Sequence, residues 1–421
     1  MKQTAITAFL LAALLFLTSC GAPQTSAPGA EDAANSNVST QTPSPEPTEP
    51  QTFIGQPKGE SFVERVFQAL PKNKNYCISP LSAKLAFAMV ANGAEGEGRR
   101  EILEALDIGS LDEYNHFVKE FLTAFPDNRP DQLQIANSIW LNTDAAYGMK
   151  FKEGFQEAIS AHYNGTADVV NHSNAVDTIN SWISEKTSGK ITRAVEDSRF
   201  IAALVNTVYF KALWQDSFPT SAKPDSFTDR DGKSSQVDFM NLSERLRYAE
   251  NSKMQAVCLP YLGAEAMYIL LPKEGQSVSV KDLDNAFLQK MTLRKVRLSM
   301  PKWNITSSFD LRGLMKALGI QTVFDESRST LGTSMFDESI LAAGPVFLDR
   351  CLQKTVIQVD EKGTEAAAVS IAIASAAGTE APEVPVEFKA DHPFLFLIRH
   401  EPSGEILFFG EYLYAQNNAN S

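Results

Sequence analysis

An alternating run near the C-terminus constrains the fold of this chain more than any other feature of its sequence. From Thr364 to Ser375 every second residue is small, so one side of an extended strand would carry only small groups. The opposite side carries Val369, Ile371 and Ile373, which favour extended structure. Such a segment can slide between two existing strands, with Gly363 as a flexible hinge. An Ala-rich helix or a flexible linker remains open from this window alone.

The N-terminus has the pattern of an exported lipoprotein. Lys2 precedes an apolar stretch, Ala8 to Leu17, that is too short for a comfortable membrane span. The residues up to Cys20 resemble a bacterial lipobox, which predicts a signal peptide at 1–19, lipid attachment at Cys20, and a place in the cell envelope on the extracellular or periplasmic side. An ordinary secretory peptide is the alternative. Residues 20–56 are rich in Pro, Ser and Thr, and we expect them to form a disordered tether.

The rest of the chain reads as one large domain. Apolar periodicity continues through 57–415 without a second linker, and a short disordered tail is expected at 416–421. The formal net charge is -13 and no basic run interrupts it. We therefore expect neither nucleic acid nor a polyanion cofactor as a partner.

Residue types that carry chemistry are scattered through this domain. Cys77, Cys258 and Cys351 have apolar neighbours and no C-x-x-C spacing, which favours buried free thiols over disulfides or a metal site. None of the histidines lies in a catalytic or metal-binding motif; they are His116, His162, His172, His392 and His400. The sequence therefore predicts no enzyme, no metal and no cofactor.

Helix and strand patterns together indicate an α+β fold. Ser79 and Pro80 begin one predicted helix, and two others cover 175–187 and 310–318. The apolar run at 203–210 predicts a strand that is covered on both faces. Further strands are predicted at 256–259, 266–271, 296–300, 355–359, 394–398 and 406–409. Helices therefore concentrate in the N-terminal half and strands in the C-terminal half.

Short motifs along the whole domain resemble those of the serpin family, in the family's order. They are Asn75-Tyr76-Cys77-Ile78-Ser79-Pro80-Leu81-Ser82, Asn180-Ser181-Trp182-Ile183, Leu204-Val205-Asn206, Met300-Pro301-Lys302, Leu318-Gly319-Ile320, Asp360-Glu361-Lys362-Gly363-Thr364 and His392-Pro393-Phe394. On these motifs the chain is identified as a member of the serpin family, and the lipobox at Cys20 indicates a bacterial lipoprotein member. The resemblance implies N-terminal-half helices packed on a large mixed β-sheet, with smaller sheets and an exposed reactive-centre loop at about 361–390.

The resemblance also implies which residues form the site. Those matching the hinge of the loop are Glu361, Gly363, Thr364, Glu365, Ala366, Ala367 and Ala368. Counting from Glu361 places the reactive bond between Ala377 and Gly378. The residues matching the region where the central sheet opens are Ser79, Ser82, Asn206, Trp214 and Gln353. Gln353 stands where the family usually has a histidine, and a glutamine does not titrate near neutrality.

The function implied is suicide inhibition of a serine protease. The protease cleaves the loop, forms an acyl-enzyme, and is trapped when the loop inserts into the sheet as a new strand. Ala377 suits the shallow pocket of an elastase-like or subtilisin-like enzyme. We expect a monomer, joined covalently to its target and held at a membrane through Cys20. The alternatives are a non-inhibitory serpin-like lipoprotein that acts as a binding module, and a solute-binding lipoprotein with repeated β-α units.

Overall fold

The helices lie mainly in the first half of the domain. The computed structural model describes residues 60–125, 132–219, 222–337, 345–364 and 383–416. Within them the α-helices are α1 (Phe62–Ala69), α2 (Pro80–Gly93), α3 (Gly96–Ala105), α4 (Leu111–Thr123), α5 (Glu153–Tyr163), α6 (Ala175–Lys186), α7 (Asn285–Leu288) and α8 (Leu311–Ala317). Short 3-10 helices cover Val280–Asp282 and Thr322–Phe324.

Strands make up most of the second half. They are β1 (Tyr76–Ile78), β2 (Gln132–Asn142), β3 (Thr166–Val170), β4 (Ala202–Leu213), β5 (Lys223–Thr228), β6 (Ser234–Glu250), β7 (Met254–Pro260), β8 (Glu265–Pro272), β9 (Thr292–Pro301), β10 (Trp303–Asp310), β11 (Leu348–Asp360), β12 (Gly363–Thr364), β13 (Val386–Lys389), β14 (Phe394–His400) and β15 (Ile406–Tyr412). The α+β class is confirmed. Strands β12 and β13 fall inside the range expected for the loop.

Two sheets organise the described part of the domain. A six-stranded sheet, the central sheet from here on, has the order β10-β11-β12-β4-β2-β3 and mixes parallel with antiparallel pairs. The remaining strands form one nine-stranded sheet, where we expected several separate sheets. In it β1-β15-β14-β8-β7-β6-β9-β13 form a continuous path and β5 pairs with β6.

Strand β4 shows why the central sheet has two covered faces. Successive side chains of a strand alternate between faces, and here Leu204 belongs to the main core while Ala203 and Val205 belong to a second apolar cluster. That second cluster contains Ile179 and Ile183 of α6. The covered strand predicted at 203–210 and the helix predicted at 175–187 are therefore confirmed, with one residue less at the end of the helix.

Helix α2 passes through the core beneath the central sheet. The hydroxyl of Ser79 accepts a hydrogen bond from the amide of Ser82 at 3.1 Å, and Pro80 occupies the first turn, as predicted. Almost every residue of α2 is buried, so the helix has no polar face. Its first turn is thereby fixed directly under the strands that carry the candidate site.

The observed ends of β11 and α8 differ from the predicted ones. The strand predicted at 355–359 is part of the longer β11, because polar residues such as Gln353 and Lys354 continue the pairing with β10 and β4. Helix α8 is one residue shorter at each end than predicted, because Asp310 caps its start by accepting from the amide of Arg312 at 3.0 Å and Leu318 is the cap at its end. Cys77, Cys258 and Cys351 are free and buried, as predicted.

Candidate functional site

The candidate site lies between β4 and β11. These strands pair directly and in parallel from Ala202 and Leu348 up to Tyr209 and Val356. Beyond that point they separate, and β12 lies between them, antiparallel to both. The central sheet is therefore closed along most of its length and open at one end.

The hinge begins at this open end. Gly363 pairs with Leu213 on one side and with Asp360 on the other. A Cβ atom at this position would lie 2.1 Å from the carbonyl oxygen of Ala212, which no side chain can tolerate. The residue next to it, Thr364, is 0% exposed and faces the core. The first small residue of the alternating run is thus already part of the sheet.

A tyrosine that the sequence did not single out contacts this threonine. The hydroxyl groups of Tyr261 and Thr364 are 2.7 Å apart and hydrogen-bonded inside the core. Burial raises the pKa of Tyr261 well above its usual value, so the hydroxyl stays protonated. Tyr261 lies in the link between β7 and β8, and no local motif marks it.

Trp214 covers this end of the sheet, as the resemblance implies. Its indole ring stacks on Tyr261 with ring centroids 4.4 Å apart and an angle of 10° between the planes. The indole nitrogen donates to the carbonyl of Asp360 at 2.9 Å, and the Trp214 amide donates to the carbonyl of Lys362 at 3.0 Å. Trp214 therefore binds β4 to the turn that precedes β12.

Glu361 anchors the same turn from the other side. Its carboxylate accepts from the ammonium group of Lys302 at 3.0 Å, and its carbonyl accepts from the amide of Phe218 at 2.8 Å. The two charged side chains are only 14% and 25% exposed, so water screens the pair less than it would at the surface. The ion pair joins the end of β9 to the hinge.

We predict that Glu361→Lys destabilises this end of the sheet. The change replaces an attractive contact with two ammonium groups close together in a half-buried place. We expect the native state to lose roughly 1–2 kcal/mol, measured as a lower midpoint of the first urea unfolding transition. The exchanged pair Lys302→Glu with Glu361→Lys is the control and is expected to recover most of the loss. Equal loss in the single and exchanged variants would contradict the importance of the ion pair.

A row of three amide side chains crosses the closed part of the sheet. In register, Gln353 of β11 lies beside Asn206 of β4, and Asn206 lies beside Asn137 of β2. The amide of Gln353 donates to Asn206 Oδ1 at 2.6 Å, and Asn206 Nδ2 donates to Asn137 Oδ1. All three are buried. This amide row links three strands by their side chains.

The first turn of α2 completes the row. Gln353 accepts from the amide of Ser79 at 3.1 Å and donates to its carbonyl at 2.9 Å. Asn206 donates to the hydroxyl and the carbonyl of Ser82. The structure brings together Ser79, Ser82, Asn206 and Gln353, which the resemblance placed in one region, and adds Asn137, which no motif singled out. Strand β2 contains several other polar residues, so no local pattern in the sequence singles out Asn137.

We predict that Gln353→His makes the stability of the protein depend on pH. A neutral imidazole can both accept from the Ser79 amide and donate to Asn206, whereas an imidazolium has no acceptor for that amide. Burial further disfavours the charged form, so the pKa of this histidine would lie below its unfolded value of about 6.5. The unfolded chain then binds protons more readily, and stability is lost as pH falls below that value.

The measurement is the difference in urea midpoint between Gln353→His and the unchanged protein at three pH values from about 7.5 to 5.5. We expect the difference to widen toward acid pH. The unchanged protein is the control. Its amide row contains no group that titrates, so any pH dependence of the difference comes from the new histidine. A difference that stays constant across this pH range would contradict the proposed burial of the neutral ring.

Other chemistry in the described residues is sparse. No group of three or more His, Cys, Asp or Glu side chains among them is placed to hold a metal ion. Cys351 lies two residues from Gln353, and burial raises the pKa of its thiol well above the usual value, so it stays protonated. No helix in this part of the chain is long and apolar enough to span a membrane.

Several predicted site residues lie outside the described ranges. They are Cys20, Glu365, Ala366, Ala367, Ala368, Ala377 and Gly378. The roles predicted for them remain predictions. The described part of the site consists of the start of the hinge, the cover formed by Trp214 and Tyr261, and the amide row.

Comparison with known proteins gives one consistent result. The profile described as Serpin (serine protease inhibitor) matches residues 58–415. The leukocyte elastase inhibitor of Bos taurus is 30% identical over 356 residues, which cover 80% of this chain and 92% of that protein. Neuroserpin of Homo sapiens is 30% identical over 377 residues, covering 83% and 88%. The native crystal structure of tengpin, a thermophilic serpin, superposes with a TM-score of 0.75 at 29% identity, covering 84% of this chain and 92% of tengpin. This chain therefore belongs to the serpin family.

Proposed function

We propose that the protein is an irreversible suicide-substrate inhibitor of serine proteases with elastase-like or subtilisin-like specificity. The observation that carries the proposal is the position of Gly363 and Thr364 between β4 and β11. The strand that must enter the sheet has its first two residues there before any cleavage. The relatives named as inhibitors of leukocyte elastase support the same target class.

The energy for trapping comes from completing the sheet. About twelve residues, Thr364 to Ser375, span about 40 Å when extended. Their insertion adds on the order of ten backbone hydrogen bonds, each stabilising by about 0.5 to 1.5 kcal/mol net. The sum is comparable with the whole stability of an ordinary domain of about 5 to 15 kcal/mol. Insertion can therefore distort a protease that remains attached to the loop through its acyl bond.

Ala377, the residue just before the proposed cleavage site, determines which proteases can cleave the loop. We propose cleavage between Ala377 and Gly378, where the methyl side chain of Ala377 enters a shallow primary pocket. A trypsin-like enzyme would need Arg or Lys at this position. After cleavage the acyl-enzyme carries Ala377, and the protease leaves only if water hydrolyses the ester before insertion is complete.

The test is incubation with pancreatic elastase followed by denaturing gel electrophoresis. We expect a denaturant-stable adduct with the summed mass of the protease and the cleaved inhibitor. Elastase with its catalytic serine blocked is the control and should give no adduct. Mass spectrometry of the released C-terminal peptide should identify Gly378 as its first residue. Cleavage without any adduct would contradict inhibition and favour a binding module, while cleavage at any bond other than the one between Ala377 and Gly378 would contradict the assigned bond.

We further propose that the inhibitor is held at a bacterial membrane by lipid on Cys20. The tether at 20–56 would let the domain reach proteases at the envelope surface. Metabolic labelling of the expressing cells with a radioactive fatty acid tests this placement. The label should appear on the unchanged protein and should disappear in Cys20→Ala. Equal labelling of both would contradict attachment at Cys20.

A further inference from the structure

Tyr261, in the link between β7 and β8, is held both through its neighbouring backbone and through its ring. The Leu262 amide donates to the carbonyl of Leu213 at 2.9 Å, and the Gln215 amide donates to the carbonyl of Pro260 at 2.9 Å. The aromatic ring lies between Trp214 at 4.4 Å and Phe210 at 5.3 Å, and it is buried. Both the backbone and the ring are therefore fixed relative to the end of β4, so the hydroxyl group presents a fixed point to whatever enters beside that strand.

The register of an entering strand matters greatly at this place. Because side chains alternate, a slip by one residue would turn the small face outward and bring the opposite face into the core. In this sequence the opposite face includes Glu365, Val369 and Ile371. One charged and several branched side chains would then have to fit where the sequence otherwise supplies alanine and serine.

Two contacts distinguish the observed register from its neighbours. A slip in either direction would bring Lys362 or Thr364 to the position of Gly363, where a Cβ atom would meet the Ala212 carbonyl oxygen at 2.1 Å. The same slip would separate the hydroxyl of Thr364 from that of Tyr261. The first contact excludes the wrong registers, and the second stabilises the right one.

Continuing the observed register leads to the amide row. Thr364 pairs with Val359 of β11 and with Ala212 of β4. Ser370 lies six residues after Thr364 on the entering strand. Because the pairing is antiparallel, its partners are six residues earlier on the other two strands, which are Gln353 on β11 and Asn206 on β4. Ser370 itself lies outside the described residues. In this register a small hydroxyl side chain would arrive where insertion must separate the two amides.

We propose that Tyr261 is a positioning residue whose hydroxyl group holds Thr364 and thereby fixes the register in which the cleaved loop enters the central sheet. The proposal rests on the proposed inhibitory function. In this proposal Tyr261 acts only through Thr364 and takes no part in the cleavage itself. Correct register makes insertion fast, and fast insertion decides whether a cleaved molecule traps its protease or releases it.

The experiment combines Tyr261→Phe and Thr364→Val, singly and together. Each single change leaves one buried hydroxyl without its partner, and the double change leaves neither, so the two changes should not be independent. The readout is the number of inhibitor molecules consumed for each elastase molecule trapped. We expect each single variant to raise this number roughly two- to tenfold, and the double variant to be no worse than the poorer single one. Thr364→Ser keeps a hydroxyl group and should restore near-normal trapping.

Tyr248→Phe is the matched control. It removes the hydroxyl group of another largely buried tyrosine, which accepts from the side-chain amide of Gln255 at 2.9 Å and lies away from the hinge. We expect its trapping to equal that of the unchanged protein. Unchanged trapping in Tyr261→Phe, or effects of the two changes that simply multiply, would overturn the proposal.

A second readout separates this proposal from the proposed function. Hydrogen exchange of the uncleaved protein reports directly on the amides of β12 and needs no protease. We expect exchange at Gly363 and Thr364 to accelerate roughly two- to tenfold in Tyr261→Phe. If the unchanged protein forms no adduct, the proposed function fails while this measurement still tests the contact. If the exchange rates do not change, the positioning role of Tyr261 is overturned even when the unchanged protein inhibits.

Discussion

Replacing Thr364 with arginine is expected to turn the inhibitor into a substrate. Thr364 is fully buried at the point where β12 enters the central sheet, and its hydroxyl already has a partner in Tyr261. A guanidinium group there would have to lose its water in a buried space that now holds a threonine, which costs several kcal/mol. Because 1.4 kcal/mol corresponds to about tenfold in rate, insertion should fall far behind hydrolysis of the acyl-enzyme.

The measurement is the yield of covalent adduct with elastase, set against the yield of cleaved inhibitor. For Thr364→Arg we expect the adduct to decrease by at least about tenfold while cleavage continues at the normal rate. Glu365→Arg is the matched control, because the alternation predicts that position 365 faces the other way and tolerates a charge. Adduct at the parental yield in Thr364→Arg would contradict the insertion mechanism.

Asn206→Ala is expected to weaken the closed state of the central sheet. The change breaks the amide row at its centre and leaves buried polar atoms of Gln353 and Asn137 without their partner. Unpaired buried groups cost about 1 to 3 kcal/mol each, so the free energy of unfolding of the native state should fall by about 3 kcal/mol. Strands β4 and β11 would then separate more easily below the hinge.

Two measurements follow this loss. The first urea transition should move to a lower concentration, and mild heating should produce oligomers, because a separated sheet exposes strand edges that another copy can pair with. Asn304→Ala is the control, since Asn304 lies on β10 of the same sheet but points to solvent. Normal stability in Asn206→Ala would mean that the amide row does not hold the sheet closed.

Local patterns in the sequence predicted the helices and strands that are almost entirely buried. The continuous apolar run in β4 and the cap formed by Ser79 and Pro80 before α2 contain enough information within a few residues. The long β6 was missed, because half of its residues are polar and its pairing partner β9 lies far along the chain. Such a strand is stabilised by its neighbours more than by its own composition.

The residues of the candidate site also differ in whether a local sequence pattern could reveal them. The hinge was visible because its alternation is local, whereas the contact of Ser79 with Gln353 joins residues 274 positions apart and was available only through the family resemblance. Tyr261 had neither kind of signal. Its importance comes from the stacking with Trp214 and the hydroxyl of Thr364, which no spacing in the sequence reveals.

The separation of β4 and β11 beyond Tyr209 and Val356 has a mechanical consequence. Entry of the loop resembles strand displacement in a nucleic-acid duplex. Each parallel residue pair lost between β4 and β11 is replaced by two antiparallel pairs, one from the loop to each of these strands. Antiparallel pairing is the slightly more stable kind for each residue. The sheet can therefore open one residue pair at a time, gaining two backbone pairings for each one lost, and the amide row is the step at which buried side-chain hydrogen bonds must also break.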